Sequence, residues 1–409
     1  MQRWNVEQPE ERIGARVRYW RERRNLKRKP FADMVGRSTS WLDKIESGER
    51  DLSRVPVIER VAEALGVDPA VLTDNNRDQR ARRCVDVCEV QAIRRALAVY
   101  SGLRTSTAGA TDLEAVARQA SHLDHAWNMS RFAVVARHLP ELMAEAQTVV
   151  QTVPEADRVA AHRILVTVYR LASSMLLKFE TNDVAWLAAD RAVHAAMQID
   201  DTWSLARATR SVARAMTSIH EQEQAIATLL AMADRMRAEV TGNAAELLPL
   251  HGMLYLAASI TAAGQEDAGL AREMHEAALA SALIYQPHYN DHHTFFGVTN
   301  TQIHRVSALV RLHECPQALA FAAMISPRAV AALSAERQAG YLLDLTKAHA
   351  GVGDYRQAAR MLGRAEQVAP EEVRCRPLAH GLLRSLLNNT TGEPGKLARR
   401  IAERAGVEV

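Results

Sequence analysis

Two stretches of this 409-residue chain concentrate side chains that could do chemistry. The first is G-R-S-T-S-W-L-D-K-I-E-S-G-E-R, residues 36–50. Ser38 can cap a helix that follows it, because its hydroxyl can accept from the free N–H groups of the first turn. In that helix Thr39 and Asp43, and Ser40 and Lys44, are i,i+4 pairs on one face, whereas Leu42 and Ile45 lie i,i+3 on the other. A short helix with hydrogen-bonding groups outward and apolar groups inward fits the major groove of DNA. Ser, Thr and Lys reach base edges there, and Lys bonds guanine O6 or N7. Arg37, just before the helix, and Arg28, at the start of the preceding one, are placed for phosphates.

The second stretch is H-Y-N-D-H-H-T-F-F-G-V-T-N, residues 288–300. His288 and His292 have the i,i+4 spacing of zinc hydrolases, but Tyr289 follows His288 where such sites carry Glu. Pro287 disfavours helix before it, and no other cluster, the close pair His122 and His125 included, has a reason to supply a third ligand. The chain has no G-x-S-x-G, P-loop or G-x-G-x-x-G. Neither an enzyme nor a metal site is expected, and no cofactor. A ligand pocket fits better. Phe295 and Phe296 offer apolar contact, and Gly297 permits close approach. Asn300 and His304 share a helix face, as do Thr301 and Arg305. With His288 and Tyr289 these groups could hold a peptide backbone or a small polar effector. The competing reading makes the phenylalanines core and the polar residues a solvated turn.

The elements that must position both stretches are helices. Alternating β-branched runs are absent, and apolar residues recur at i, i+3, i+4 from end to end, so the expected fold is all-α. Five short helices are expected first, over 10–24, 28–35 ending at Gly36, Ser38 to Gly48, 54–65 closed by Gly66, and one opened by Asp68-Pro69. Residues 73–83 hold Ala81 as their single apolar residue and read as a linker. The expected domains are therefore 1–74, a linker over 75–83, and 84–409. In the last, residues 341–370 read helix, Gly-Asp turn, helix, Pro, and resemble a tetratricopeptide repeat. Ala358, Leu362, Ala365 and Pro370 sit at that repeat's second-helix positions, with Thr346 and His349 replacing its first-helix Gly and Tyr. Weaker copies line up at Ala188, Ala225, Ala268 and Ala318, at irregular spacing, which predicts an α-solenoid of lengthened helix pairs.

Charge is distributed unevenly. Residues 1–83 carry 19 Lys and Arg against 14 Asp and Glu, a net of +5, while the whole chain is +3, which leaves −2 for the remainder. Positive charge at that end suits a polyanion partner. Four cysteines form no disulfide framework, and Cys84 and Cys88 lack the further pair a zinc site needs. No apolar run approaches a membrane span and no signal peptide opens the chain, so a soluble cytoplasmic protein without membrane contact is expected.

Residues 10–74 resemble the XRE-type helix-turn-helix family, to which many phage repressors belong. The motif G-x-S-x-S-x-L-x-x-[IV]-E-x-G is matched over residues 36–48. The resemblance implies that the third helix enters the major groove, with Thr39, Ser40 and Lys44 at bases and Arg28 at a phosphate. It also implies that Glu46 pairs with Arg21 of the first helix in a structural role. The second helix departs from the family's S-Q-x-E-L-A, reading K-R-K-P-F-A from Lys27. Proline is tolerated in a first turn. The helix loses a capping oxygen and gains basic residues facing the backbone of DNA.

Together the two halves resemble regulators of actinobacteria and firmicutes that join an XRE-type domain to a tetratricopeptide-like sensor, and the Ala- and Arg-rich composition looks actinobacterial. The resemblance implies a transcriptional regulator, dimeric on an inverted-repeat operator in double-stranded DNA, whose helical domain dimerises and senses a peptide or small molecule. The alternative is a scaffold that docks another regulator through that domain.

Overall fold

The computed structural model describes residues 12–82, 84–100, 112–241, 245–284 and 295–407, and every regular element among them is helical. His288 and Tyr289, and with them most of the 288–300 cluster, lie outside the described residues. The chain divides into two compact units, Met1–Cys88 and Glu89–Val409.

The first unit comprises α1 (Ile13–Arg23), α2 (Arg28–Val35), α3 (Thr39–Glu46), α4 (Val55–Leu65), α5 (Pro69–Thr73) and α6 (Asn75–Arg82). The first five follow the capping residues in the sequence. Gly36 and Gly66 end α2 and α4 in the left-handed region, at φ 69° and 62°, where a Cβ would be penalised. Ser38 caps α3 by accepting from the Trp41 N–H at 3.2 Å, and Asp68 caps α5 by accepting from Ala70 at 2.7 Å. α2 starts at Lys27 with no side-chain cap, as its composition implies. Trp20, Phe31, Val35, Leu42, Ile45, Val61 and Leu72 meet in one buried core. Gly14 is required where α1 crosses α3, because a Cβ there would stand 1.9 Å from the Ile45 carbonyl oxygen.

The expected linker over 73–83 is replaced by α6, which is held by polar groups rather than apolar ones. The Trp20 indole donates to buried Asp78 at 2.8 Å, and Arg82 pairs with the same carboxylate at 2.8 Å. Arg23 donates to the carbonyls of Ala81, Arg82 and Cys84 at 2.6–3.1 Å, satisfying the open end of the helix. Counting apolar residues could not reveal an anchor made of one carboxylate and two arginines.

The second unit opens with α7 (Val87–Leu97). Helix pairs follow: α8 (Leu113–Asn128) with α9 (Phe132–Thr152), α10 (Arg158–Lys178) with α11 (Asn182–Ala196), and α12 (Thr202–Ser218) with α13 (Gln222–Thr241). Then come α14 (Leu248–Gly264) with α15 (Ala268–Ile284) and α16 (Val298–Arg311) with α17 (Cys315–Ala322). After the short α18 (Pro327–Ala331), α19 (Ala335–Gly351) pairs with α20 (Tyr355–Val368). The chain ends in α21 (Pro370–Arg374), α22 (Pro377–Asn389) and α23 (Gly392–Ala405).

One local device repeats at the turn of every pair just named. A residue with positive φ stands two positions before the start of the second helix; these positive-φ residues are Ser130, Glu180, His220, Glu266, His313 and Gly353. The N–H of the next residue bonds the carbonyl five positions back at 2.8–3.0 Å, from Arg131 to Ala126 through to Asp354 to His349, the wide bond of a Schellman turn. Four residues beyond that donor stands a fully buried small side chain: Val135, Ala185, Ala225, Ala271, Ala318 and Ala358. There the two helices approach closely. This corrects the sequence register at two copies, where Ala185 and Ala271 hold the position rather than Ala188 and Ala268.

First helices of successive pairs touch in a row, α8 to α10, α12, α14, α16 and α19, and α19 also reaches back to α8. Lys178 on α10 donates to Glu336 on α19 at 2.9 Å and to Glu372 on α21. Glu371 on α21 accepts from the Ala133 N–H on α9 at 2.8 Å. The row of first helices therefore curls until its ends meet, enclosing an interior.

Candidate nucleic-acid interface and interior cavity

Helix α3 presents the face expected of it. Leu42 and Ile45 are buried, while Thr39, Ser40, Asp43 and Lys44 are exposed, as are Arg28, Arg37 and Ser38 around them. The hydroxyl of Ser38 is occupied by its cap bond. Arg37 lies over the Trp41 ring at 5.7 Å. Arg28 reaches across from α2 to Asp43 at 3.2 Å and Glu46 at 3.7 Å. Both Arg28 and Asp43 are more than half exposed, so this pair contributes little to stability and can open for another partner.

The helix is aimed by a buried ion pair. Arg21 on α1 grips Glu46 through two bonds, Nε to Oε1 at 2.6 Å and Nη2 to Oε2 at 2.9 Å, and donates a third to the Leu26 carbonyl at 2.9 Å. Both side chains are about 5% exposed, at 6% and 4%. The Glu46 hydrogen bond pushes the Arg21 guanidinium above its ordinary pKa. A planar fork matched to a carboxylate fixes direction as well as distance, so this pair sets the tilt of α3 on α1 and places its outer face.

The interior of the second unit holds a cavity of about 520 Å³ walled by α12, α14, α16 and α19. Ile260, Ile303 and Tyr341 give it apolar surface, and Thr217, Thr261, His304 and Ser307 give it polar surface. A narrower chamber of about 70 Å³ lies beyond, and Arg210, Arg214, Glu336 and Arg337 line both. His304 Nδ1–H donates to the Asn300 carbonyl at 2.7 Å, leaving Nε2 as an acceptor. Burial, with Arg337 and Arg210 adding repulsion, pushes its pKa down to about 3. His304 is therefore a neutral ring at physiological pH.

Of the residues expected to form a ligand pocket, His304 alone among the described ones lines this cavity. Phe296 is 4% exposed and packs among Met253, Leu256 and Ala278 in the space left by Gly252, where a Cβ would stand 2.0 Å from its ring. Asn300 is fully buried, with its amide 3.6 Å from the Met253 sulfur. Phe295 and Arg305 are half-buried outside the cavity wall. The i,i+4 faces are real helix faces, but they turn toward α14 and α15 more than toward open space. The cavity arginines were legible as the stripe Arg207, Arg210, Arg214, at i, i+3 and i+7. Such a stripe normally reads as a solvated face, and only the curl of the unit turns it inward.

Residues 12–74 match the family model of a helix-turn-helix domain. That span covers α1 to α5 and stops before α6. No curated protein matches the chain. Among solved structures, it is similar to the apo form of the competence regulator ComR from Streptococcus vestibularis. The identity is 15% and the TM-score 0.22, over 69% of this chain and 95% of that one. Among the described residues no helix is long and apolar enough to cross a membrane.

Proposed function

We propose that the chain is a sequence-specific DNA-binding transcriptional regulator of XRE type, cytoplasmic and dimeric, whose helical unit senses an effector. The observation that carries this is the outer face of α3. A helix-turn-helix domain leaves Thr39, Ser40, Asp43 and Lys44 exposed at the surface while the same helix is locked beneath by Leu42, Ile45 and the Arg21–Glu46 pair. Thr39, Ser40 and Lys44 read base edges, and Asp43 accepts from cytosine N4 where Arg28 releases it. Arg28 and Arg37, with Lys27 and Lys29 exposed beside them, hold phosphates.

One short helix reads too few base pairs for a genomic site, so two copies bind half-sites about one helical turn, roughly 34–36 Å, apart on an inverted repeat. The helical unit holds the two copies together, and an effector that favours one arrangement shifts the population able to bind. The test is footprinting of the full-length protein on its best genomic fragment. Protection of two half-sites related by a two-fold axis supports the reading. Salt-sensitive binding without a preferred site, with and without cell extract, removes it.

A further inference from the structure

The interior arginines are short of counter-charges. Asp124 is taken by Arg170 at 2.5 Å, and Asp344 faces Lys347 at 3.8 Å. Glu336 is taken by Lys178 at 2.9 Å and lies 3.7 Å from Arg337. Against burial, which alone would raise its pKa, Lys178 and Arg337 hold that carboxylate well below its usual range. Arg207 stacks on Trp203 at 4.3 Å. Arg210 and Arg214 make no hydrogen bond or ion pair with any described residue, and the Arg210 Nε is buried without a partner. They stand i,i+4 on α12, where like charges repel.

Surrounding protein partly desolvates both guanidiniums and their neighbours Arg337 and Arg170 add repulsion, which the attraction of Glu336 opposes without cancelling. Arg210 is displaced well below its ordinary pKa and Arg214 to about 10. A guanidinium stays protonated in proteins, so the displacement measures electrostatic stress that an anion would relieve.

We propose that Arg210 and Arg214 seat the oxyanion group, phosphate or carboxylate, of a small anionic effector, with the group in the narrow chamber and the body of the molecule in the larger cavity. This rests on the reading of the helical unit as the sensor and names the chemistry it senses. The narrow chamber, about 70 Å³, takes a group of a few heavy atoms. The cavity beside it, about 520 Å³, is of the size that holds metabolite-sized ligands, roughly 300–1,000 Å³. A guanidinium fork matches either oxyanion in a bidentate way. His304 Nε2 and the Thr217 and Thr261 hydroxyls, 3.0 Å apart, supply polar contacts for the body of the ligand.

The experiment is thermal unfolding of the full-length protein with inorganic phosphate, AMP or citrate, each against sodium chloride of equal ionic strength. A saturable rise in Tm beyond the chloride control is expected with phosphate and AMP if the group is a phosphate, and with citrate if it is a carboxylate. Arg210→Gln/Arg214→Gln should abolish the rise while its ligand-free Tm is no lower than that of the wild type. Arg214→Lys, which keeps the charge and loses the fork, should weaken the apparent affinity roughly tenfold. The proposal is overturned if no anion exceeds chloride in the wild type, or if the double variant responds as the wild type does. DNA binding measured in the same samples separates the two readings: a saturable rise without any change in DNA affinity supports the anion seat and counts against the sensor.

Discussion

The two units use arginine in opposite ways. In the first, Arg21 is matched bidentately by Glu46, and the remaining charge around α3 is left in water. In the second, the half-buried Arg210 and Arg214 face a cavity with no acid in bonding contact, because Glu336, which lines the same space, is engaged by Lys178. A buried pair fixes geometry, and breaking it is costly. An exposed cation is free to meet a polyanion, and an enclosed unmatched one leaves a vacancy of charge. The same residue type thus serves as strut and is proposed as DNA contact and as effector seat, and its surroundings decide which.

Breaking the strut should have the largest effect. Glu46→Ala leaves the buried Arg21 with only the exposed Glu22 carboxylate at 3.4 Å as a counter-charge, and should cost about 3 kcal/mol, read as a shift of the first unit's unfolding transition to lower denaturant. Gly14→Ala forces a Cβ against the Ile45 backbone and should cost about 1–3 kcal/mol or more as an overpacked contact, with DNA binding lost in parallel. Arg210→Gln, by contrast, should leave denaturant stability unchanged or raised, because it deletes a charge without a partner. A loss like that of Glu46→Ala would erase the contrast between the units.

Subtler changes sharpen it. Lys44→Ala should remove about 1–3 kcal/mol of discrimination at its base pair, seen as relaxed preference in competition against mismatched sites. His304 is neutral when folded and titrates near 6.5 when unfolded. The unfolded state takes up the proton first, so its contribution is complete above pH 6.5 and lost as pH falls from there toward 3. The acid loss should reach about 1–2 kcal/mol by pH 5, and His304→Gln should lack it when wild type and variant are unfolded at pH 7.5 and 5. The smallest effect belongs to Arg28→Ala. It should weaken all DNA sequences alike and lower the slope of log affinity against log salt by about 0.9, read from a salt titration.

How much was legible in the sequence follows the same division. The first five helices are punctuated by Gly36, Gly66, Ser38 and Asp68-Pro69, residues whose local chemistry dictates their backbone. Helix α6 carries no such signal, since its anchor is the distant Trp20 and Arg23. In the helical unit the repeat was visible at Gly353 because glycine advertises a left-handed turn. The other five turns place Ser130, Glu180, His220, Glu266 and His313 in the same conformation, held by the wide turn bond and the burial that follows. Residue type does not announce that strain. The expected cavity residues were placed by helix periodicity, which gives a face but not what the face meets. Phe296 and Asn300 meet α14, and the cavity wall comes from residues far apart in the chain.

The most direct test is parallel selection of genomic DNA fragments by the full-length wild type and by Lys44→Ala. The account predicts one discrete inverted repeat for the wild type and, for the variant, loss of preference at a symmetric pair of base positions with an unchanged salt slope. Enrichment of the same site with the same base preferences by both proteins would contradict it, since α3 would then not be the element that reads DNA.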